Sequence, residues 1–237
     1  ETSTVHPSYG NLLKLTKTIY CPSEFARSVL SRQFPEGDWR VLRHWIPDPP
    51  PPKSITDRPV YKFYSIGNVA DPRKNIQMLI QAFLDLDLPD ARLVLKATCR
   101  QNVESRWPNI VIINGLVTNE QLDSIHDSCD CYVNCSFSEG VGMGAVEAAM
   151  RNKPVIISDY GGLKEYVKTP YVIRTGRRKV GMVDFLYTPD MEWGNPDIES
   201  LKEHMKECHR LKLRVQDHQP TQTMVHSVVT ELPLCTA

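Results

Sequence analysis

The sequence predicts an α/β fold: a Rossmann-like parallel sheet with helices on both faces, preceded by a short strand–helix–strand unit. Three observations predict it. Between residues 61 and 158, apolar runs of five to eight residues alternate with amphipathic helical stretches. The runs are almost continuously apolar, as strands are when helices cover both faces of their sheet. The stretch PDPPPP at 47–52 separates this region from what precedes it, because consecutive prolines can continue neither a helix nor a sheet interior.

In chain order, KTIYCP (17–22) reads as a strand, SEFARSVLSRQF (23–34) as a helix capped by Ser23, and WRVLRHWIP (39–47) as a second strand. One such unit is too small to bury both faces of a sheet, so it reads as the tail end of a larger domain. After the prolines, strands are expected at 61–67, 91–98, 110–114, 130–135 and 154–158. In the helix at 75–86, Ile76, Leu79, Ile80 and Phe83 form one apolar stripe. Thr118 and Gln121 form a capping box for the helix at 119–128, and further helices are expected at 141–151 and 162–168. Residues 197–214 form a last helix with Ile198, Leu201, Met205 and Cys208 on one side, and 216–237 a tail. The division is 1–52 for the preceding unit and linker, 53–200 for the Rossmann-like domain, and 201–237 for the last helix and tail.

The 237 residues balance 28 Lys and Arg against 28 Asp and Glu, which argues against a general nucleic-acid binder. There is no signal-peptide pattern and no apolar run near about 18 residues. The expectation is a protein without a transmembrane segment, in the cytoplasm. Seven cysteines, an odd number with no CxxC pair, read as structural thiols, with Cys129, Cys131 and Cys135 in a buried strand. The sequon Asn134-Cys135-Ser136 falls in the same strand and reads as chance. The histidines are scattered and read as surface or packing residues, and Asp85-Leu86-Asp87, at a helix end, is a poor metal motif.

In a parallel α/β sheet, ligands collect where the carboxyl ends of strands meet helix N-termini. Two loops there carry chemistry. GNVADPRKN (67–75) lacks the dinucleotide and P-loop glycine patterns but brings Arg73 and Lys74 to a helix start. FSEGVGMGAVEAAM (137–150) places Gly140, Val141, Gly142 and Met143 at another, between Glu139 and Glu147. Glycines there let backbone N–H groups approach phosphate oxygens. Laid along a helix, the two glutamates would stand about 12 Å apart. That approaches the reach of a diphosphate with a sugar at each end. Carboxylates repel phosphate, so both read as acceptors for sugar hydroxyls, with Arg73, Lys74 and the helix dipole on the anion. The set describes a nucleoside-diphosphate-sugar site that uses no metal or other cofactor.

Residues 136–167 resemble the donor-binding signature of GT-B glycosyltransferases, especially the large retaining family 4. The pattern E-x7-E, then K-P-V-I, then G-G-x-x-E falls on Glu139, Glu147, Lys153-Pro154-Val155-Ile156 and Gly161-Gly162…Glu165. GNVADPRKN is similar to that family's phosphate loop and INGLVTNEQL (113–122) to its base-binding stretch, and the resemblance covers roughly 18–205. It implies hexose transfer from a UDP- or GDP-sugar with retention, to a glycan, lipid or protein acceptor. Glu147 would bind ribose, Glu139 the transferred sugar, residues 140–143 with Gly67 and Asn68 the diphosphate region, and Leu116 and Val117 the base. Lys74 and Arg73 would stabilise the leaving group. Asn68 stands where the family usually has arginine, and the acceptor-side domain is represented only by its end. A non-catalytic nucleotide-sugar-binding module of a larger assembly, and an epimerase on the same fold, are the competing classes.

Overall fold

The computed structural model describes residues 1–51, 59–99, 102–183 and 186–214. The predicted tail at 216–237, Cys235 and the last proline of the linker lie outside these residues.

The first unit contains β1 (Thr18–Cys21), α1 (Glu24–Gln33) and β2 (Asp38–Val41), with β1 and β2 parallel. Ser23 caps α1 by accepting from the Ala26 N–H. The second predicted strand ends at Val41, and beyond Leu42, which still donates to Cys21, the chain runs without ladder pairing. A 3₁₀ helix at Pro7–Lys14 precedes the unit; its first residues are polar and give no period to read.

The main sheet follows. Its strands are β3 (Tyr61–Gly67), β4 (Ala91–Ala97), β5 (Ile110–Ile113), β6 (Cys131–Asn134), β7 (Val155–Ser158) and β8 (Val172–Ile173). Between them run α2 (Ile76–Leu86), α3 (Asn119–Ser128), α4 (Met143–Met150) and α5 (Leu163–Tyr166), and α6 (Ile198–Arg210) comes last among the described helices. All six strands are parallel, in the order β5-β4-β3-β6-β7-β8. The order reverses between β3 and β6, which makes the gap between the loops after these two strands the topological switch point.

Alternation along each strand explains the apolar runs. Tyr61, Phe63, Leu93, Leu95, Cys131, Val133 and Ile156 face α2 and α6, whose Leu79, Phe83, Leu201, Met205 and Cys208 complete that half of the core. Tyr64, Val94, Tyr132, Val155 and Ile157 face the other way, against Ile125, Val146, Leu163 and Tyr166. The six cysteines among the described residues are free thiols. Burial pushes the Cys129 thiol up to about 11 and Cys135 up to about 12, so both behave as small hydrophobes. Asn134 is buried in hydrogen bonds, as a chance sequon would be.

The largely exposed basic run RTGRRKV (174–180), which carries no strand alternation, contains β9 (Thr175–Lys179), which pairs antiparallel with β10 (Glu192–Pro196). Its arginines lie against aromatic faces, Arg177 at 4.6 Å from the Tyr160 ring and Arg178 at 4.7 Å from that of Phe137. The partner strand EWGNP carries a glycine and a proline, so no alternation marked it.

The preceding unit docks on the main body through α5. The Glu165 carboxylate accepts from the N–H groups of Glu24 (2.8 Å) and Phe25 (2.7 Å), capping α1, and pairs with Arg43 at 2.9 Å. Glu165, the last residue of the G-G-x-x-E pattern, thus caps a helix about 140 residues away in sequence. Glu165→Ala should lower the unfolding free energy by about 1–3 kcal/mol, with Glu165→Gln milder because one oxygen remains. Urea denaturation would check this, and equal, negligible effects of both variants would contradict the capping role.

Candidate active site

The switch point is built by two loops that hydrogen-bond to each other. After β3, Asp71 starts a single 3₁₀ turn (Pro72–Lys74), and Asn75, at φ 53°, turns the chain into α2. After β6, the Phe137 N–H donates to the Arg73 carbonyl at 2.9 Å, and the Asn75 amide donates to the Cys135 carbonyl at 3.1 Å. The second loop is also held from its other side. The Gly162 N–H donates to the Glu139 carbonyl (2.8 Å) and the Gly194 N–H to the Phe137 carbonyl (2.9 Å). Gly161, at φ 88°, passes so close that a Cβ would stand 2.7 Å from the Glu139 oxygen. The Phe137 ring stacks on Trp193 with centroids 5.2 Å apart.

This clamp fixes Glu139, which is only 6 % exposed. Its Oε1 accepts from Lys74 Nζ (2.7 Å), Ser136 Oγ (2.8 Å) and Asn134 Nδ2 (3.2 Å), leaving Oε2 with no partner among the described residues. Glu139 therefore precedes the helix by four residues, in a loop. The helix-based spacing of about 12 Å does not apply, because α4 begins only at Met143. Gly142 provides its N-cap in the left-handed region, at φ 73°, and carries no side chain to satisfy the first-turn N–H groups.

Glu147 sits about one turn into α4. Beneath it lies His126, fully buried, with Nε2 at 3.4 Å from Glu147 Oε2 and Nδ1 at 2.8 Å from the Tyr64 hydroxyl. Burial pushes the Tyr64 hydroxyl well above its ordinary value, so it stays protonated and donates to Nδ1. Burial likewise depresses His126, against the pull of Glu147, and keeps the ring neutral. The hydrogen-bond chain thus runs from Tyr64 through His126 to Glu147 and orients the carboxylate.

A cleft of about 570 Å³ opens over these groups, lined among others by Gly67, Lys74, Thr98, Tyr132, Glu139, Gly140, Val141, Gly142, Met143 and Glu147. A family model, "Glycosyl transferases group 1", matches residues 54–176, a little over half of the chain. The chain belongs to the group 1 glycosyl transferase family. An uncharacterized glycosyltransferase of Methanocaldococcus jannaschii is 33 % identical over 119 residues, 47 % of this chain and 32 % of that protein. Three solved structures are similar in fold. A trehalose-6-phosphate structure from E. coli bound with UDP-2-fluoro glucose superposes with a TM-score of 0.63 at 14 % identity, over 94 % of this chain and 60 % of its own. The sucrose-phosphate synthase of Thermosynechococcus elongatus gives 0.59 at 16 %, over 85 % and 51 %. The pneumococcal O-GlcNAc transferase in complex with UDP and GlcNAc gives 0.59 at 16 %, over 86 % and 40 %. These likenesses establish a GT-B Rossmann-like fold. The chain spans about a third of the curated relative and roughly half of the structures it matches.

Within this member of the family, the cleft gathers most of the predicted site residues and leaves out four. Asn68 turns its side-chain oxygen back to the Ala70 N–H (3.1 Å) instead of facing the cleft. Leu116 is fully exposed, and neither it nor Val117 lines the cleft; their loop is tethered by buried Lys96, whose Nζ donates to the carbonyls of Ala97 and Gly115 at 2.7 Å. Arg73, expected beside Lys74 on one anion, points the other way. It is bound by Asp71 (3.0 Å) and Glu1 and lines a separate cavity. The 3₁₀ turn is the reason, since consecutive residues in it project about 120° apart. His126 went unnoticed among scattered histidines; its position on the buried face of an amphipathic helix was the available signal. Tyr64, Asn134, Ser136 and Thr98 gave none. Asp85, of the D-x-D triplet, is paired with Lys202 at 3.2 Å. Among the described residues, no helix is long and apolar enough to cross a membrane.

His126 makes a pH dependence testable. Its folded value lies below the ordinary 6.5, so on acidification the unfolded chain takes up this proton first and the native state loses stability. The stability of wild type relative to His126→Gln should be flat above about pH 7 and fall from there toward pH 5. A difference that is constant or grows on acidification would contradict a buried neutral imidazole.

Proposed function

We propose that this chain is the donor half of a glycosyltransferase that moves a hexose from a nucleoside diphosphate, UDP- or GDP-linked, to an acceptor with retention. The observation that carries the reading is the meeting of Lys74 and Glu139 across the switch point, next to a helix start without a side-chain cap. In this reading Glu147, oriented by His126, accepts from the ribose hydroxyls. The diphosphate sits on the first-turn N–H groups of α4 with Lys74 at its side. Glu139 presents Oε2 to a hydroxyl of the transferred sugar. As the glycosidic bond breaks, negative charge builds on the departing diphosphate, and preorganised Lys74 and the N–H groups stabilise it more in the transition state than before. These donors act without a metal ion. The UDP in the pneumococcal and E. coli neighbours favours a uridine nucleotide. The acceptor, whether glycan, lipid or protein, is recognised opposite this half.

A second reading is a module that binds a nucleotide sugar without transferring it. It is favoured by Asn68, an uncharged side chain committed to its own turn where the resemblance leads one to expect arginine. Calorimetric titration and donor turnover separate the two. Glu147→Ala should weaken UDP binding about ten- to a hundredfold in the presence of EDTA. Lys74→Ala should lower donor turnover by about 10² or more, and Glu139→Gln should abolish it while UDP affinity stays within about twofold. Binding without turnover in any assembly favours the module. UDP and GDP affinities that ignore Glu147 would overturn the donor site.

A further inference from the structure

The donor reading leaves Arg73 unused, and its surroundings describe a second polar site. Both oxygens of the Glu1 carboxylate are held. Oε1 accepts from the Gly140 N–H at 3.2 Å, and Oε2 accepts from the Tyr187 hydroxyl at 2.9 Å and from Arg73 Nη1. The three donors belong to the main body and are fixed without Glu1. Asp71 holds Arg73 through its other nitrogen at 3.0 Å, and Tyr187 packs edge-on against Trp193 with centroids 5.6 Å apart. Gly140 lies in the clamped loop, one residue from Glu139. The carboxylate comes from outside, from the segment that precedes the first 3₁₀ helix.

Such a cradle offers an anion three converging donors, one N–H of Arg73, the Tyr187 hydroxyl and the Gly140 N–H, with the Arg73 charge shared between Asp71 and the incoming group. Glu1 lines both the donor cleft and a neighbouring cavity of about 340 Å³, and so stands between them. That second cavity is walled by Val5, Phe25, Val29 and Leu186, which leaves room for a ligand beside the cradle.

We infer that Arg73, the Tyr187 hydroxyl and the Gly140 N–H form an anion subsite of the substrate pocket, occupied here by Glu1 and taken in the working complex by an anionic group on the substrate. The group sits beside the transferred sugar and belongs either to that sugar, as the carboxylate of a uronic acid, or to the acceptor, as a sugar phosphate. The inference rests on the donor reading, which places the sugar at Glu139.

The test is calorimetric titration of the full chain in two arms. One compares UDP-glucuronate with UDP-glucose; the other compares glucose 6-phosphate with glucose in the presence of saturating UDP. In one arm the anionic ligand should bind about tenfold or more tightly than its neutral counterpart. Arg73→Gln and Tyr187→Phe should each reduce that preference without changing UDP affinity. Glu1→Gln should strengthen the anionic ligand severalfold, because the neutral amide competes less. The arm that responds identifies the source of the anion. Normal UDP binding with no anionic preference in either arm, or a preference that survives both Arg73→Gln and Tyr187→Phe, overturns the subsite and leaves the donor reading standing. Loss of all nucleotide binding overturns the donor reading and this inference with it.

Discussion

Lys74 and Glu139 lie 65 residues apart in sequence and meet at 2.7 Å where the order of the parallel sheet reverses. Burying such a pair costs desolvation on both sides, and the Coulomb attraction offsets this only when the remaining polar atoms are also satisfied. Ser136 and Asn134 reinforce it at Glu139, both donating to the oxygen that Lys74 holds. The consequence is a carboxylate with one oxygen committed and one uncommitted, at a fixed height over the cleft. The geometry of the site follows from this constraint. The loop bearing Glu139 must stop short of helical structure until Met143, which puts the uncapped start of α4 beside Lys74.

Rigidity around this pair comes from elements that contribute no chemistry. The β9–β10 hairpin supplies Gly194 to the Phe137 carbonyl and stacks Trp193 on the Phe137 ring, while Arg178 covers the ring's other neighbourhood. The loop after β7 passes its glycines against the Glu139 backbone, and only residues lacking Cβ fit there. A site supported this way holds its donors in place before a ligand arrives, which is the condition for electrostatic stabilisation of a leaving group.

The sequence disclosed the parts whose signal is local. Apolar runs marked the sheet because both of its faces are covered, and the E-x7-E block marked the cleft because its two glutamates and the glycines between them sit together at one helix start and line it. Contacts between distant segments left no such trace. Glu165 caps a helix 140 residues upstream, and nothing near either partner reveals the pairing. Arg73 and Lys74 are adjacent in sequence and were assigned to one anion, yet a single 3₁₀ turn sends them to different cavities. The basic run at 174–180 is largely exposed, yet it forms a strand whose arginines lie over aromatic rings, a pairing its own residues do not reveal. His126 had the right residue type among seven of the same kind, and only burial singled it out.

The central claim is that the switch-point cleft is a diphosphate site built on α4 and Lys74. Amide chemical shifts recorded while UDP is added in the presence of EDTA test it most directly. The account predicts that the largest shifts fall on Gly140 through Gly144 and on Gly67 and Lys74, saturating without a divalent ion. Shifts absent from these residues, or appearing only when a divalent ion is restored, would contradict it.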